Sequence, residues 1–307
     1  MILSASRRTD IPAFYSDWLI NRLKEKYILV PNPRNPKRLG RINLSPEWVD
    51  CIVFWTKNPL PMLDKLDEIE ELGYRFYFQF TLTPYGTDVE RNLPPKTELI
   101  DALRKLSKKI GTERVVWRYD PVFLGDSFSV DWHMEQFQKL CTELDGAASC
   151  CVFSFVDVYS NISKQFREIS LNEMLVVAEG FSRIAKRHNL PLFSCSEKID
   201  LSSFQIQHSA CIDPKRIEKI IGYPIKARKD PGQRPACGCV ESVDIGVYDT
   251  CRNGCAYCYA TSGEKAVLRN IQKHDPNSPM LIGYPHGDEL ITDRTAPSLK
   301  ISQLSLY

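Results

Sequence analysis

A short β-rich run ending in polar residues, followed by a helical stretch, recurs through the first 200 residues and limits the folds open to this chain. The β-type runs fall at 2–6, 51–55, 75–82, 114–117, 150–156 and 191–195. Helical periodicity falls between them at 17–28, 61–71, 96–110, 130–144 and 171–188, with Ser16 placed to cap the first and Gly73 and Gly111 to stop two others. Strands alternating with helices at this rhythm predict βαβ units and a parallel sheet. No nucleotide-binding glycine fingerprint follows any of the strands. The expected class is therefore α/β, with a complete or partial TIM-like (β/α) barrel favoured over a doubly wound sheet. A barrel gathers the residues at its strand ends on one rim, where active sites are built. Those candidates are Arg7, Arg8, Asp10, Lys57, Arg118, Asp120 and Glu197, with Thr56, Thr83 and Asp157 beside them. Any one of them alone reads as ordinary loop polarity; the repetition gives the set its weight.

After residue 200 the rhythm changes. Residues 1–200 read as the barrel units, and 201–307 as a cysteine-rich segment packed into the same barrel. A helix is expected near 214–221, a strand at 243–248, a helix at 263–274 and a strand at 280–283. The 243–248 strand leads into Cys251-Arg252-Asn253-Gly254-Cys255-Ala256-Tyr257-Cys258, three cysteines at C-x3-C-x2-C. Thiolates on one short loop can converge on one metal centre, and Gly254 lets the backbone curl tightly around it. A structural zinc site takes four ligands and closes; a 4Fe–4S cluster held by three cysteines leaves one iron free. The alternative is a zinc knuckle that borrows Cys237 or Cys239.

This spacing, with Tyr257 and Tyr259 flanking Cys258, resembles the cluster loop of radical S-adenosylmethionine (SAM) enzymes. The wider string YDTCRNGCAYCYA is similar to the subgroup that includes spore photoproduct lyase, and the chain as a whole resembles an uncharacterised bacterial DUF1848-type family. The resemblance implies a 4Fe–4S cluster on Cys251, Cys255 and Cys258, whose open iron binds the amino and carboxylate groups of SAM. It further implies reductive cleavage of SAM to a 5′-deoxyadenosyl radical, an external electron donor, and Tyr257 beside the cofactor. Gly287-Asp288-Glu289 resembles the Gly-Gly-Glu-like run that meets the SAM amino group. In those enzymes the loop follows the first barrel strand; here it lies at 251–258 of 307, which implies a permuted barrel with 243–290 next to the N-terminal strand.

Four further cysteines, Cys195, Cys211, Cys237 and Cys239, lie outside the expected core segments and are candidates for a second iron–sulfur cluster or a zinc site. Cys51, Cys141, Cys150 and Cys151 read as core. The five histidines show no ligand spacing; His208, three residues before Cys211, is the one near the second set. Eleven cysteines in a chain whose Met1-Ile-Leu-Ser leads straight into a strand, with no signal-peptide pattern, fit metal ligation in the cytoplasm better than disulfides. No apolar run approaches a membrane span. Lys and Arg total 40 against 38 Asp and Glu, a net charge of +2, which supplies no bulk attraction for nucleic acid. Arg7, Arg8, Lys57 and Arg118 on one rim instead suit a small, polar, anionic substrate. A DNA-lesion lyase rests on analogy and on the basic stretch Arg34, Lys37, Arg38 and Arg41. A zinc-stabilised nucleic-acid-binding module without catalysis is the alternative of another class; it would be colourless where an iron–sulfur protein is brown.

Overall fold

The computed structural model describes residues 1–33, 35–159, 162 and 165–301. In chain order, β1 (Ile2–Ala5), the one-turn α1 (Ile11–Phe14) and α2 (Ser16–Glu25) lead into a hairpin of β2 (Tyr27–Asn32) and β3 (Asn35–Asn43). Then β4 (Cys51–Thr56), a 3-10 turn at Leu60–Lys65 with α3 (Leu66–Glu71), β5 (Phe76–Thr81), α4 (Lys96–Ile110), β6 (Val115–Val122), α5 (Val130–Glu143), β7 (Cys151–Phe155), α6 (Leu171–Arg187) and β8 (Leu192–Cys195) alternate. The remainder holds β9 (Gln207–Ser209), α7 (Pro214–Ile221), β10 (Val243–Asp244), α8 (Glu264–Ile271) and β11 (Leu290–Arg294).

Eight strands form one wholly parallel sheet in the order β10-β1-β4-β5-β6-β7-β8-β9. The fold is therefore α/β as the rhythm required, but the sheet is open and no barrel closes. Its two edge strands are too short for a closing ladder: β10 has two residues and β9 three. The 243–248 stretch pairs with β1 only at Val243 and Asp244, opposite Leu3 and Ser4. Met280–Leu281 is not a strand; the Met280 carbonyl instead accepts from the Trp18 indole at 3.1 Å. The basic, Pro-containing stretch at 31–41 is not a loop. It forms most of the β2–β3 hairpin, which β11 joins in parallel to make a second, three-stranded sheet. Pro31, Pro33 and Pro36 hide this strand pattern, because proline reads as a strand breaker. Arg34 lies outside the described residues.

Helix ends follow local chemistry. Ser170 and Glu173 form a capping box at the start of α6. α4 buries Leu99, Leu103, Leu106 and Ile110 along one face. α2 stops short of residue 28 because Lys26 takes a left-handed conformation and β2 begins at Tyr27. Ser16 does not cap α2; its hydroxyl donates to the Pro61 carbonyl at 3.1 Å.

Alternation along the strands divides the sheet into two faces. Leu3, Phe54, Phe78, Trp117 and Phe153 pack under the helices. Ile2, Val53, Tyr77, Val116 and Val152 point the other way and pack on Ile212, Ile217 and Ile225, around α7. Farther along that second face, toward the carboxyl ends of the strands, Trp55, Arg118, Ser154 and Cys195 border a cavity. The polar strand ends therefore do gather on one side, as open parallel sheets arrange them.

The β1–β10 edge is held by one carboxylate. Asp244 accepts from the Ser4 hydroxyl at 3.1 Å, the Ser6 hydroxyl at 2.5 Å and the Arg7 backbone N–H at 3.1 Å. Two residues on, a Cβ at Gly246 would lie 2.1 Å from Ser6 Oγ and 2.6 Å from Ser6 Cβ. Gly246→Ala is expected to destabilise the fold by about 1–3 kcal/mol in urea unfolding. Gly40→Ala, whose Cβ would meet nothing nearer than the Val30 carbonyl at 3.8 Å, should change stability far less.

Candidate metal and active centre

One cavity of about 1130 Å³ lies at the carboxyl ends of the parallel strands, and all seven cysteines singled out from the sequence line it. The loop carrying Cys251, Cys255 and Cys258 is fixed from several sides. Gly254 takes φ +67° and packs on Asn92, so its lack of a Cβ is used both for the turn and for the close approach. Asn92 donates to the Arg252 and Asn253 carbonyls at 2.7 and 3.1 Å, and Ala256 N–H donates to the Val89 carbonyl at 2.8 Å. The Tyr15 hydroxyl donates to the Thr250 carbonyl at 2.6 Å.

The centre of this docking is Glu90, 1% exposed. Its carboxylate accepts from Lys57 Nζ at 2.7 Å and the Thr83 hydroxyl at 2.8 Å, and also from Lys96 Nζ and the Tyr257 hydroxyl. Burial pushes the Glu90 pKa up, but Lys57 and Lys96 outweigh it and hold the group at about 2. Sequence reading missed Glu90. It sits several residues beyond the end of β5 in an irregular stretch, and nothing in its neighbours marks it as buried.

The rim candidates divide by role. Asp10 lines the cavity but is only 3% exposed, and its carboxylate is held by neighbouring groups. It caps α1 through Ala13 N–H at 3.0 Å, and it accepts from the Thr56 hydroxyl at 2.7 Å, Lys57 N–H at 2.8 Å and Asn253 Nδ2 at 3.1 Å. Burial raises its pKa against those bonds. Lys57 is paired with Glu90 and lies over the Tyr257 ring. Arg118 is paired with Asp120, and Asp120 also takes the Ser154 hydroxyl. Arg7 lies 5.2 Å from the Trp55 ring centroid, Arg8 lies 5.1 Å from that of Tyr248, and both line the cavity. Glu197 lies outside the cavity lining. Its Oε1 accepts from Phe155 N–H at 2.9 Å, and burial pushes its pKa up to about 7. Tyr257 lines the cavity, but its hydroxyl is committed to Glu90.

Gly287, Asp288 and Glu289 are not brought to this centre. They lie outside the cavity lining, in the exposed turn before β11. The Glu289 carboxylate folds back onto the His286 and Gly287 N–H groups at 2.9 Å, and Asp288 pairs with Lys37 at 3.2 Å.

The second cysteine set is buried along the same cavity, with one direct sulfur contact. Cys195 Sγ and Cys211 Sγ lie 3.0 Å apart, Cys239 Sγ accepts from Ile212 N–H at 3.4 Å, and Cys237 lines the cavity beside them. Arg118 Nη1 donates to Cys211 Sγ at 2.8 Å. His208 turns its Nδ1 to the Ser194 hydroxyl at 3.2 Å. Cys51, Cys141, Cys150 and Cys151 are buried, as expected.

The model of a family described as a domain of unknown function, DUF1848, matches residues 2–260. The chain belongs to that family. The DUF1848 match takes in all seven cavity cysteines and ends before Gly287. No curated protein matches. Among solved structures, a candidate alpha-L-fucosidase from Bacteroides thetaiotaomicron aligns at 10% identity and TM-score 0.28, over 57% of this chain and 82% of that one. An endoglucanase aligns at 8% identity and TM-score 0.25, over 73% and 86%. Likeness this distant carries no argument.

Removing the Glu90 charge should loosen the loop. Glu90→Gln leaves the half-buried Lys57 and Lys96 without their carboxylate and is expected to cost about 2–4 kcal/mol in chemical denaturation. Because the folded pKa of Glu90 is depressed, its contribution in the wild type is full above about pH 4.5 and fades as pH falls toward about 2. Glu90→Gln should remove that part of the acid dependence.

Proposed function

We propose that this DUF1848 protein is a radical SAM enzyme, with Cys251, Cys255 and Cys258 holding a 4Fe–4S cluster whose open iron takes SAM. The observation that carries the reading is three thiols on one fixed turn that line a large cavity. The chemistry of the donor set suits such a group: the ligands are soft thiols and Gly254 gives the turn its curl. Burial pushes the Cys255 thiol up to about 12 with Lys57 opposing it, so binding a cluster would have to displace the thiol protons. When bound, the cluster would supply the electron, drawn from an external donor, that cleaves SAM to a radical able to abstract hydrogen. The chain's own part is to hold the loop rigid through Glu90, Asn92 and Asp10, and to exclude bulk water with the β2–β3 hairpin, which borders the cavity through Pro31, Leu39 and Gly40. The parallel pairing of β10, which leads into the loop, with β1 supports reading the sheet as a permuted partial barrel.

The substrate cations need revision within this reading. Lys57 and Arg118 already face carboxylates, so an anionic substrate would meet Arg8 and, on the hairpin and β11, Arg38 and Arg294, which line the same cavity. Three tyrosines among the cavity-lining residues, Tyr159, Tyr248 and Tyr259, are exposed and favour a second reading. In it the substrate is a nucleic-acid strand whose bases stack on these rings.

Anaerobic protein should bind iron and acid-labile sulfide and change its electron paramagnetic resonance spectrum on addition of SAM. Retention of full SAM cleavage by a Cys251→Ala/Cys255→Ala/Cys258→Ala variant would end the proposal. Salt separates the two substrate readings. Binding of an oligonucleotide that weakens steeply between low and physiological salt supports the strand, because several phosphates are then contacted. The absence of such binding, with turnover lost in Arg8→Ala while the cluster is intact, supports a small anion.

A further inference from the structure

We infer that Cys195, Cys211, Cys237 and Cys239 form a second metal site of the four-thiolate class, with Arg7 and Arg118 as its charge-balancing neighbours. This inference does not rest on SAM chemistry at the 251–258 loop. The four sulfurs come from separate places in the fold: the end of β8, the loop before α7, and the C-x-C turn ahead of β10. All four residues are buried, none more than 8% exposed. Such convergence is more than apolar packing asks of cysteine, and soft thiolates select zinc or an iron–sulfur cluster.

The arginines give the independent observation. Arg118 is 4% exposed and, besides its pair with Asp120, points Nη1 at Cys211 Sγ at 2.8 Å. Arg7 Nη2 is buried among the described residues with no hydrogen-bond partner at all. A guanidinium cannot shed its charge, and a buried donor needs an acceptor. Neutral thiols are weak acceptors, whereas thiolates accept charge-assisted bonds. Four thiols that release four protons to one divalent ion give a centre of charge 2−, which Arg7 offsets in part and Arg118, shared with Asp120, offsets further through its bond to Cys211. As the side chains stand, no three of these sulfurs among the described residues surround one point, and Cys195 and Cys211 are the pair in direct contact. Binding would require side-chain rotation to bring Cys237 and Cys239 onto that pair.

The test uses the full chain carrying Cys251→Ala/Cys255→Ala/Cys258→Ala, purified without oxygen and checked for folding by circular dichroism. It should retain stoichiometric metal: zinc alone, or iron with acid-labile sulfide, which tells the two members of the class apart. Adding Cys211→Ala and Cys239→Ala should remove that metal, whereas adding Cys51→Ala should not. In the chain with an intact loop, Arg7→Ala should weaken retention against a chelator by about 10- to 100-fold, and Arg7→Lys by less. If the triple variant does not fold, Cys195→Ser/Cys237→Ser in the otherwise wild-type chain should lose the same metal fraction while any SAM-responsive signal stays. A folded triple variant without metal, or a Cys195–Cys211 disulfide found by mass spectrometry in protein prepared anaerobically, would overturn the inference. Either outcome leaves the reading of the 251–258 loop intact, and loss of SAM response alone leaves this one intact.

Discussion

The carboxylate of Glu90 is the group on which the centre depends. It is almost wholly buried, and a buried charge is tolerable only when its partners are close and its lone pairs are filled. Two lysines, a threonine hydroxyl and a tyrosine hydroxyl fill them. These donors come from the ends of β4 and β5, from α4 and from the cysteine loop. One group therefore ties the loop to the sheet, beside the short antiparallel bridge that Glu90 makes with Cys255. Asp10 repeats the device on the opposite flank, joining α1, the end of β4 and Asn253. The loop is thus clamped between two buried carboxylates, which lets three thiols stand at the cavity without depending on one another for their positions.

The edge of the sheet explains why the loop arrives there. A parallel strand needs only a short ladder to aim the chain that follows it, and β10 uses two residues. Asp244 makes that short ladder directional by gathering Ser4, Ser6 and Arg7 N–H, and Gly246 lets the chain pass against Ser6 at a distance no other residue allows. The same contacts turn the chain after β1 toward the cavity, so Arg7 and the cysteine loop are oriented by one local arrangement.

What could be seen in the sequence, and what could not, follows from the range of the interactions involved. The six central strands were legible because alternation and apolar runs are local signals, and the cysteine loop because its spacing is. Closure into a barrel was not, since it depends on how long the edge strands are, and the stretch at 243–248 carries more strand-like residues than the sheet uses. The β2–β3 hairpin was hidden by its prolines. Asp10 and Gly287–Glu289 show the opposite failure. Each has the right residue type after a strand or turn, but what decides its role is whether its lone pairs are already filled by neighbours. That information lies in Asn253 for the first and in the His286 and Gly287 N–H groups for the last. The placement of Cys195, Cys211, Cys237 and Cys239 along one cavity was foreshadowed by number and position alone, and only the fold shows Arg118 donating to Cys211.

Charge at the centre is consequently layered. At the inner wall of the cavity Lys57 faces Glu90, which also takes Lys96 from behind, and Arg118 faces Asp120 and Cys211. Farther out, the hairpin and β11 contribute Arg38 and Arg294, both exposed. Buried pairs resist screening while exposed charges do not. The inner layer therefore fixes geometry at any ionic strength, and the outer layer is the part through which a charged ligand would sense salt. A near-neutral chain can in this way keep a charge-selective cavity without an overall field to attract polyanions.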